Sequence, residues 1–201
     1  EIYIYLRDEY PASHEILTKE LAIVSENGLN NGTKLFLRRG AGAYICGEES
    51  AMLESLEGRR GEPRHKPPFP SESGLFGRPT LVHNVETLYW VPEILTKGAI
   101  WFSQQGRRNC KGLRLFSVSG RVENPGVKMA PAGISTMELI NDHCGGVKRG
   151  HRFTAFLPGG ASGGILPSKY SDRPLDFGSL DELGCFVGSG ALIILGHQDP
   201  I

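Results

Sequence analysis

The chain has 201 residues, and its 22 basic residues balance 22 acidic ones, so its formal net charge is zero. This balance gives no general attraction to nucleic acid or to an anionic membrane surface, and no apolar run reaches the roughly 20 residues of a membrane-spanning helix. Glycine, at 27 residues, is about twice as frequent as usual, which favours many tight turns.

The four cysteines and six histidines show no spacing typical of a metal site or of a nucleophilic catalytic centre. Widely separated cysteines without a C-x-x-C pair favour buried, reduced thiols in a cytoplasmic protein, and two long-range disulfides are the alternative. We therefore predict a cytoplasmic location and no metal ligands in this chain.

The first 40 residues predict a parallel α/β unit. The pattern places strands at 2–6 and 34–37, and between them a helix with Ser13 as its N-cap and Asn27-Gly28 as its end. Three apolar residues at helical spacing would form the buried face of that helix: Leu17, Leu21 and Val24.

A glycine-rich turn and a helix predicted at 48–57 follow. Glycines at 40, 42 and 47 let the backbone approach a flat or phosphorylated ligand closely, and a glycine also ends the helix. Glu48 and Glu49 suit the positive end of the helix dipole but disfavour phosphate, so they would accept hydrogen bonds from ring N–H groups, amides or ribose hydroxyls. An ordinary strand-to-helix turn is the alternative.

Residues 58–80 are basic, rich in proline and irregular. The prolines fix an extended backbone, which lowers the entropy cost of holding the Phe69 ring where it can stack on a base or a nicotinamide. Four cations of this loop could meet phosphates: Arg59, Arg60, Arg64 and Lys66. A solvated basic surface loop is the alternative.

A short strand at 80–82 is predicted to lead into a helix that is capped by Asn84 and kinked at Pro92. A helix N-terminus with Asn and Thr side chains can bind an anion. In the alternative interpretation, Asn84 only caps its own helix and His83 is a structural histidine.

Residues 98–112 form a predicted boundary, after which the pattern is that of an α+β module. Its predicted elements are a hairpin of strands at 113–118 and 127–129, a helix from the capping box Ser135–Glu138 to residues 144–146, a strand at 153–157, a flexible glycine loop at 158–164 and a closing hairpin within 185–195. The glycine loop lacks the Lys-Ser/Thr pair of a P-loop, so a surface loop or a partner contact is favoured over a phosphate site.

Three stretches, in this order and spacing, resemble the flavin (NADH-binding) subunit of respiratory complex I: residues 40–51, residues 56–60 with 66–70, and residues 83–88. The same module serves as the diaphorase subunit of NAD-reducing hydrogenases and NAD-dependent formate dehydrogenases. Asp8 and His83 stand where complex I usually has Gly and Asn, and they make the chain more similar to the β subunit of soluble NAD-dependent formate dehydrogenase.

The resemblance implies an α/β fold: a partial Rossmann-like FMN-binding domain at 1–111, followed by an α+β β-grasp domain of the ubiquitin-like, soluble-ligand-binding type at 112–201. It also implies that the family's first glycine-rich FMN loop lies before Glu1 and that its cysteine-rich [4Fe–4S] domain lies beyond Ile201. The chain is therefore expected to be a fragment that holds part of the flavin site.

The resemblance further implies the cofactors FMN and NAD and a set of site residues. The FMN side consists of Gly47, Glu48, Glu49, Val82, His83, Asn84 and Thr87, and the NAD side of Tyr44, Glu49, Phe69 and Pro70. Phe69 would be the stacking ring and Glu49 the catalytic residue that positions hydride transfer, while the flavin does the chemistry.

The implied function is electron transfer: a hydride passes between NAD(H) and FMN, and electrons pass to iron–sulfur clusters in partner subunits. A NAD-dependent formate dehydrogenase is the expected parent enzyme, with complex I or a NAD-reducing hydrogenase as alternatives. A non-catalytic scaffold that docks a redox subunit is an alternative of another class. Nucleic-acid binding and direct membrane insertion are disfavoured. Carboxylates near the nucleotide predict NAD over NADP, because they would repel a 2′-phosphate.

Overall fold

The computed structural model describes residues 1–200 and divides into two compact units, Glu1–Val85 and a second unit that begins at Glu86. Its strands and helices make a mixed α/β protein, as predicted. Within residues 1–200, no helix combines the length and the apolar composition that crossing a membrane requires.

The first unit opens with a strand–helix–strand segment, as predicted. Its elements are β1 (Ile2–Leu6), α1 (Pro11–Glu26) and β2 (Leu35–Arg39). The two strands pair in parallel, with Ile2 opposite Leu35 and Leu6 opposite Arg39. Both strands therefore end at the same edge of the sheet, where the glycine-rich turn begins.

Helix α1 begins earlier than predicted. Pro11 is its first residue and Tyr10 stands at the N-cap, so the prediction that Ser13 caps this helix is wrong. Proline is favoured at the first helical position because its φ is already helical and its missing N–H would have no partner there. The predicted apolar face is confirmed, since Leu17, Leu21 and Val24 are half-buried.

Two further helices complete the first unit: α2 (Glu49–Leu56) and α3 (Pro70–Ser73). Short 3-10 turns at Tyr44–Gly47 and Leu75–Gly77 precede α2 and follow α3. Gly58 has a φ of +78°, the left-handed conformation that commonly ends a helix, so the predicted glycine stop is confirmed. The buried apolar residues of this unit are Cys46, Ala51, Leu53 and Leu75.

The predicted strand at 80–82 is wrong, because no residue there has strand conformation. Thr80 instead closes the loop around α3: its N–H donates to the Pro70 carbonyl at 2.8 Å, and its hydroxyl accepts the Leu75 N–H at 2.8 Å. The Thr80 N–H that a strand would offer to a neighbour is therefore already used.

Three short helices follow: α4 (Val85–Tyr89), α5 (Val91–Lys97) and α6 (Ala99–Ser103). The predicted kinked helix is in fact split at Trp90. Pro92 lies in the first turn of α5, the place in a helix where a missing N–H is tolerated.

A five-stranded mixed sheet organises the second unit. Its strands are β3 (Leu113–Gly120), β4 (Gly126–Pro131), β5 (Phe153–Ala161), β6 (Leu166–Pro167) and β7 (Ala191–Gly196). Their order in the sheet is β4-β3-β7-β5-β6. The pair β3–β7 is parallel and the other pairs are antiparallel, which confirms the predicted hairpin of β3 and β4.

Helix α7 (Thr136–Glu138) also lies in the second unit, and it continues as a π-helical turn at Leu139–His143. The predicted capping box is confirmed: the Ser135 N–H donates to Glu138 Oε2 at 2.8 Å, and the Glu138 N–H donates to Ser135 Oγ at 3.3 Å. Fully buried side chains of the sheet, of this helical segment and of the residue before its cap form the core: Phe116, Ile134, Leu139, Phe156, Leu192 and Ile194.

Two predictions for the end of the chain are wrong. Strand β5 runs on to Ala161, and residues 158–160 are buried, so more than half of the predicted flexible loop at 158–164 is strand. Of the predicted hairpin within 185–195, only β7 forms. The run before β7 packs against the glycine segment, where a Cβ on Gly159 would lie 2.5 Å from the Phe186 carbonyl oxygen.

All four cysteines are free thiols, as predicted, and Cys110 alone among them is only half-buried. Removal from water raises the pKa of the Cys110 thiol to about 11 and also raises the pKa of Cys144. Neither thiol is therefore ionised near neutral pH.

The compact units meet between Val85 and Glu86, whereas the sequence predicts domains at 1–111 and 112–201. Helices α5 and α6 group with the sheet of the second unit. The predicted domain bounds stay a prediction.

Candidate functional site

The glycine-rich turn starts at the edge where β1 and β2 end. The Gly40 N–H donates to the Leu6 carbonyl at 2.6 Å, and Gly42 has a φ of +69° that favours glycine. Gly47 is exposed, and a Cβ added to it would meet no atom within 4 Å. The Tyr44 ring is 83% exposed. The turn thus presents an open backbone next to an uncovered aromatic ring.

Glu48 caps α2. Its Oε2 accepts the Ser50 N–H at 2.9 Å and the Ala51 N–H at 3.0 Å. Burial alone would raise the pKa of Glu48, but hydrogen bonds from Ser50, Ala51 and Lys66 outweigh burial and lower it. Because its own cap occupies these N–H groups, the start of α2 is no phosphate cradle, as the two glutamates predict from sequence.

Lys66 connects the proline-rich loop to both glutamates. Its Nζ lies 2.5 Å from Glu49 Oε1 and 3.3 Å from Glu48 Oε1. The hydrogen bond to Glu49, with a smaller effect of Glu48, raises the pKa of the lysine. The sequence predicts that Lys66 meets a phosphate and does not indicate this pairing. Three residues further on, Phe69 is 52% exposed and directly precedes Pro70, the first residue of α3.

The arginines of the loop bind the other end of α2. Arg64 donates from Nε to Glu54 at 2.5 Å and from Nη2 to Glu57 at 2.8 Å, and Arg59 pairs with the same two carboxylates. Hydrogen bonds from Arg59 first, and then from Arg64, lower the pKa of Glu54 to about 2. These cations are held by carboxylates, so the prediction that they meet phosphates has no support in this arrangement.

The remaining predicted flavin residues surround the start of α4. Val82 is half-buried, whereas His83 and Asn84 are exposed and lie just before the helix. Thr87 lies within α4 and is exposed, and it belongs to the second unit. In the first unit, the structure brings Gly47, Glu48, Glu49 and Lys66 together.

Comparison with known proteins relates the chain to subunits that contain a flavin-binding domain. Residues 1–93 match the family model of the Nuo51 FMN-binding domain. This match confirms the predicted resemblance to the family of complex I flavin subunits.

Particular relatives are components of larger enzymes. The chain is 42% identical to an NADH-quinone oxidoreductase subunit of Rhizobium meliloti, over 96% of this chain and 48% of that protein. It is 42% identical to an NADH-quinone oxidoreductase subunit of Escherichia coli, over 98% of this chain and 46% of the relative. It is 41% identical to the NADP-reducing hydrogenase subunit HndC of Solidesulfovibrio fructosivorans, over 98% of this chain and 42% of the relative.

A solved structure agrees with these relatives. The crystal structure of a NAD⁺-reducing [NiFe]-hydrogenase in the air-oxidised state matches with a TM-score of 0.82 and 34% identity, over 98% of this chain and 33% of that one. The chain spans a little less than half the length of the curated relatives named above.

The residues of the glycine-rich turn fit a flavin. A flat ring needs open backbone and apolar or aromatic flanks, and Gly47 supplies the first while Tyr44 supplies the second. The Glu49 carboxylate accepts hydrogen bonds, as ring N–H groups and ribose hydroxyls require. The capped N-terminus of α2 offers no place for the flavin phosphate, so that group would have to bind elsewhere.

Proposed function

We propose that this chain is the NADH- and flavin-binding part of an electron-transfer oxidoreductase subunit. It exchanges a hydride between NAD(H) and FMN and relays electrons to iron–sulfur clusters of partner subunits. The observation that carries the proposal is the site within the matched FMN-binding domain, where Lys66 joins the loop that bears Phe69 to the carboxylates beside Gly47.

The proposed flavin side is Gly47, Glu48, Glu49, Val82, His83, Asn84 and Thr87, and the proposed nicotinamide side is Tyr44, Glu49, Phe69 and Pro70. The exposed ring of Phe69 supports a stacking role, because Pro70 fixes the backbone that follows it. Asn84 lies just before α4 and is the proposed contact to the flavin phosphate, because the first N–H groups of α2 are already capped by Glu48.

Bound FMN supplies the hydride chemistry. The chain's own residues bind and orient the flavin and the nucleotide. Glu48 is committed to capping α2, so Glu49 is the carboxylate left to position the nucleotide. Lys66 forms an ion pair with Glu49 and restrains its carboxylate before the nucleotide arrives. Phe69 covers one face of the nicotinamide nucleotide and excludes water from it.

The fold supports two further parts of the proposal. The parallel β1–α1–β2 segment fits part of a Rossmann-like domain, and the five-stranded mixed sheet with α7 fits a β-grasp domain of the soluble-ligand-binding type. The longer protein would carry the [4Fe–4S] domain. We propose a cytoplasmic NAD-dependent formate dehydrogenase as the parent enzyme, with complex I and a NAD-reducing hydrogenase as the other parents of the same class.

The nucleotide is proposed to be NAD rather than NADP. Two carboxylates at the start of α2 are balanced by a single lysine, and the surplus negative charge opposes a 2′-phosphate. HndC, a relative at 41% identity, is named for NADP reduction, so this preference needs its own test. Equal rates of flavin reduction by NADPH and NADH would contradict it.

A scaffold that docks a redox subunit is the second candidate function. One observation favours it: apolar side chains on the outer face of β3 and β4, Leu115, Val127 and Met129, are exposed. Under this alternative, replacing Glu49 and Phe69 leaves NADH oxidation by the assembled enzyme intact.

Flavin titration tests the proposed function. Quenching of FMN fluorescence on addition of the protein is expected to report binding, and NADH is then expected to bleach the absorbance of the bound flavin. If the longer parent protein, folded and kept under reducing conditions, binds no FMN, the proposal fails and the scaffold function takes its place.

A further inference from the structure

Tyr5, a half-buried residue of β1, reaches across the edge of the sheet where the glycine-rich turn begins. Its hydroxyl oxygen accepts the Ala41 N–H at 3.1 Å and shares a hydrogen bond with Ser55 Oγ at 3.0 Å. A phenolic hydroxyl has one proton and two lone pairs, so it can make both bonds at once. One side chain thus ties the glycine-rich turn and α2 to the same strand.

Gly40 makes this contact possible. A Cβ added there would lie 3.1 Å from both Tyr5 Cε1 and the Tyr5 hydroxyl, and 3.2 Å from the Leu6 carbonyl oxygen. A larger residue at this position would force the tyrosine or the Leu6 backbone to shift. Beyond Ala41, added Cβ atoms at Gly42 and Gly47 would meet nothing within 4 Å. The Ala41–Tyr5 bond is therefore an anchor next to an open part of the turn.

We propose that Tyr5 is a positioning residue of the flavin site. Its hydroxyl fixes the backbone from which Tyr44 and Gly47 project, and it couples that backbone to the helix that carries Glu49. The inference rests on the proposed function, in which this turn binds the flavin. Without the hydroxyl, the Ala41 N–H exchanges its protein partner for water, and the turn samples conformations that do not bind the ring.

Tyr3 provides a matched control. It lies two residues earlier on the same face of β1, and within residues 1–200 its hydroxyl donates only to the exposed Glu1 carboxylate, at 3.3 Å. Tyr3→Phe therefore deletes the same atom from the same strand and leaves the turn untouched. Tyr5→Phe retains the ring that packs against Gly40, so the variant is expected to fold.

The experiment compares wild type, Tyr5→Phe and Tyr3→Phe in two measurements. The first is amide hydrogen exchange at Ala41 in the protein without FMN, and the second is the dissociation constant for FMN by fluorescence titration. Tyr5→Phe is expected to speed exchange at Ala41 about tenfold and to weaken FMN binding about fivefold. Tyr3→Phe is expected to change neither.

Each outcome decides the inference. Unchanged exchange at Ala41, or wild-type FMN affinity in Tyr5→Phe, overturns it, as does an equal effect of Tyr3→Phe. If wild type itself binds no FMN, the proposed function fails, and the role of Tyr5 in a flavin site falls with it. Faster exchange at Ala41 would then show only that the hydroxyl holds the turn.

Discussion

Both ends of α2 carry carboxylates paired with cations, but the two clusters differ in their exposure to water. At the N-terminal end, Lys66 faces Glu48 and Glu49, and all three side chains are partly open to water. At the C-terminal end, Arg59 and Arg64 enclose Glu54 and Glu57, and the Glu57 side chain is only 5% exposed. The enclosed cluster fixes the helix and its loop, whereas the open cluster keeps one carboxylate accessible to a ligand.

The largest expected effect on stability comes from breaking the enclosed cluster. Arg64→Met leaves two carboxylates with one cation in a site that water reaches poorly, so we expect a loss of about 3 kcal/mol in the free energy of unfolding of the first unit. Because Trp90 and Trp101 both lie beyond Val85, tryptophan fluorescence reports on the other unit. Hydrogen exchange of the α2 amides is the appropriate measurement.

Arg60→Met is the control for that variant. The Arg60 side chain is 89% exposed and forms an ion pair with the exposed Glu62, so its loss is expected to cost less than about 0.5 kcal/mol. Equal effects of the two substitutions would show that the enclosed cluster contributes no more than a surface ion pair.

Acid should weaken the same cluster. The folded pKa of Glu54 is about 2 and its ordinary value is 4.5, so the unfolded chain binds protons more readily than the folded chain. The stabilisation by Glu54 is therefore complete above the ordinary pKa and is lost as the pH falls towards about 2. Urea unfolding followed by circular dichroism at several acidic pH values is expected to show this loss. The free energy of unfolding should fall less steeply with decreasing pH in Glu54→Gln than in wild type. Identical slopes would contradict the assignment.

Removing the cap of α2 is expected to have a moderate effect. Glu48→Ala takes the acceptor from the Ser50 and Ala51 N–H groups and should destabilise α2 by about 1 kcal/mol. Glu49→Ala, which loses a favourable charge near the helix dipole and a partly exposed ion pair with Lys66, should cost about 0.5 kcal/mol or less. Exchange of the α2 amides measures both, and the reverse ranking would exchange the roles that we give to the two glutamates.

Lys66→Met should have the smallest effect on stability, below about 0.5 kcal/mol, because its partners are partly exposed. A loss as large as that of Arg64→Met would erase the contrast between the two ends of the helix. The same exchange experiment gives the answer.

Local sequence signals were sufficient for the elements that depend on neighbouring residues. The glycine stop at Gly58 and the capping box at Ser135 were predicted because each is set by a few adjacent residues. Helix α1 starts earlier than the sequence predicts, because Pro11 and Ser13 are competing start signals and the helix begins at the proline. The strand at 80–82 was wrong because a short apolar run needs a neighbouring strand, which no local pattern reveals.

The predicted site residues came from a family resemblance, and the contacts that organise them could not be derived from local sequence. Lys66 meets Glu49 across 17 positions, and Tyr5 meets Ala41 across 36. Such pairs depend on how β1, β2 and α2 pack. Charge counting predicted that the loop was basic, but it could not show that its arginines are neutralised by the helix beside them.

The most direct test of the proposed site is the rate at which NADH reduces FMN bound to the protein in its longer parent, measured by stopped-flow absorbance for wild type and Glu49→Gln. We expect Glu49→Gln to fold as wild type does, to retain FMN and to be reduced about a hundredfold more slowly, because the carboxylate that positions the nucleotide has lost its charge. Equal reduction rates in the two proteins would contradict the role of Glu49 and the distinction between the two ends of α2.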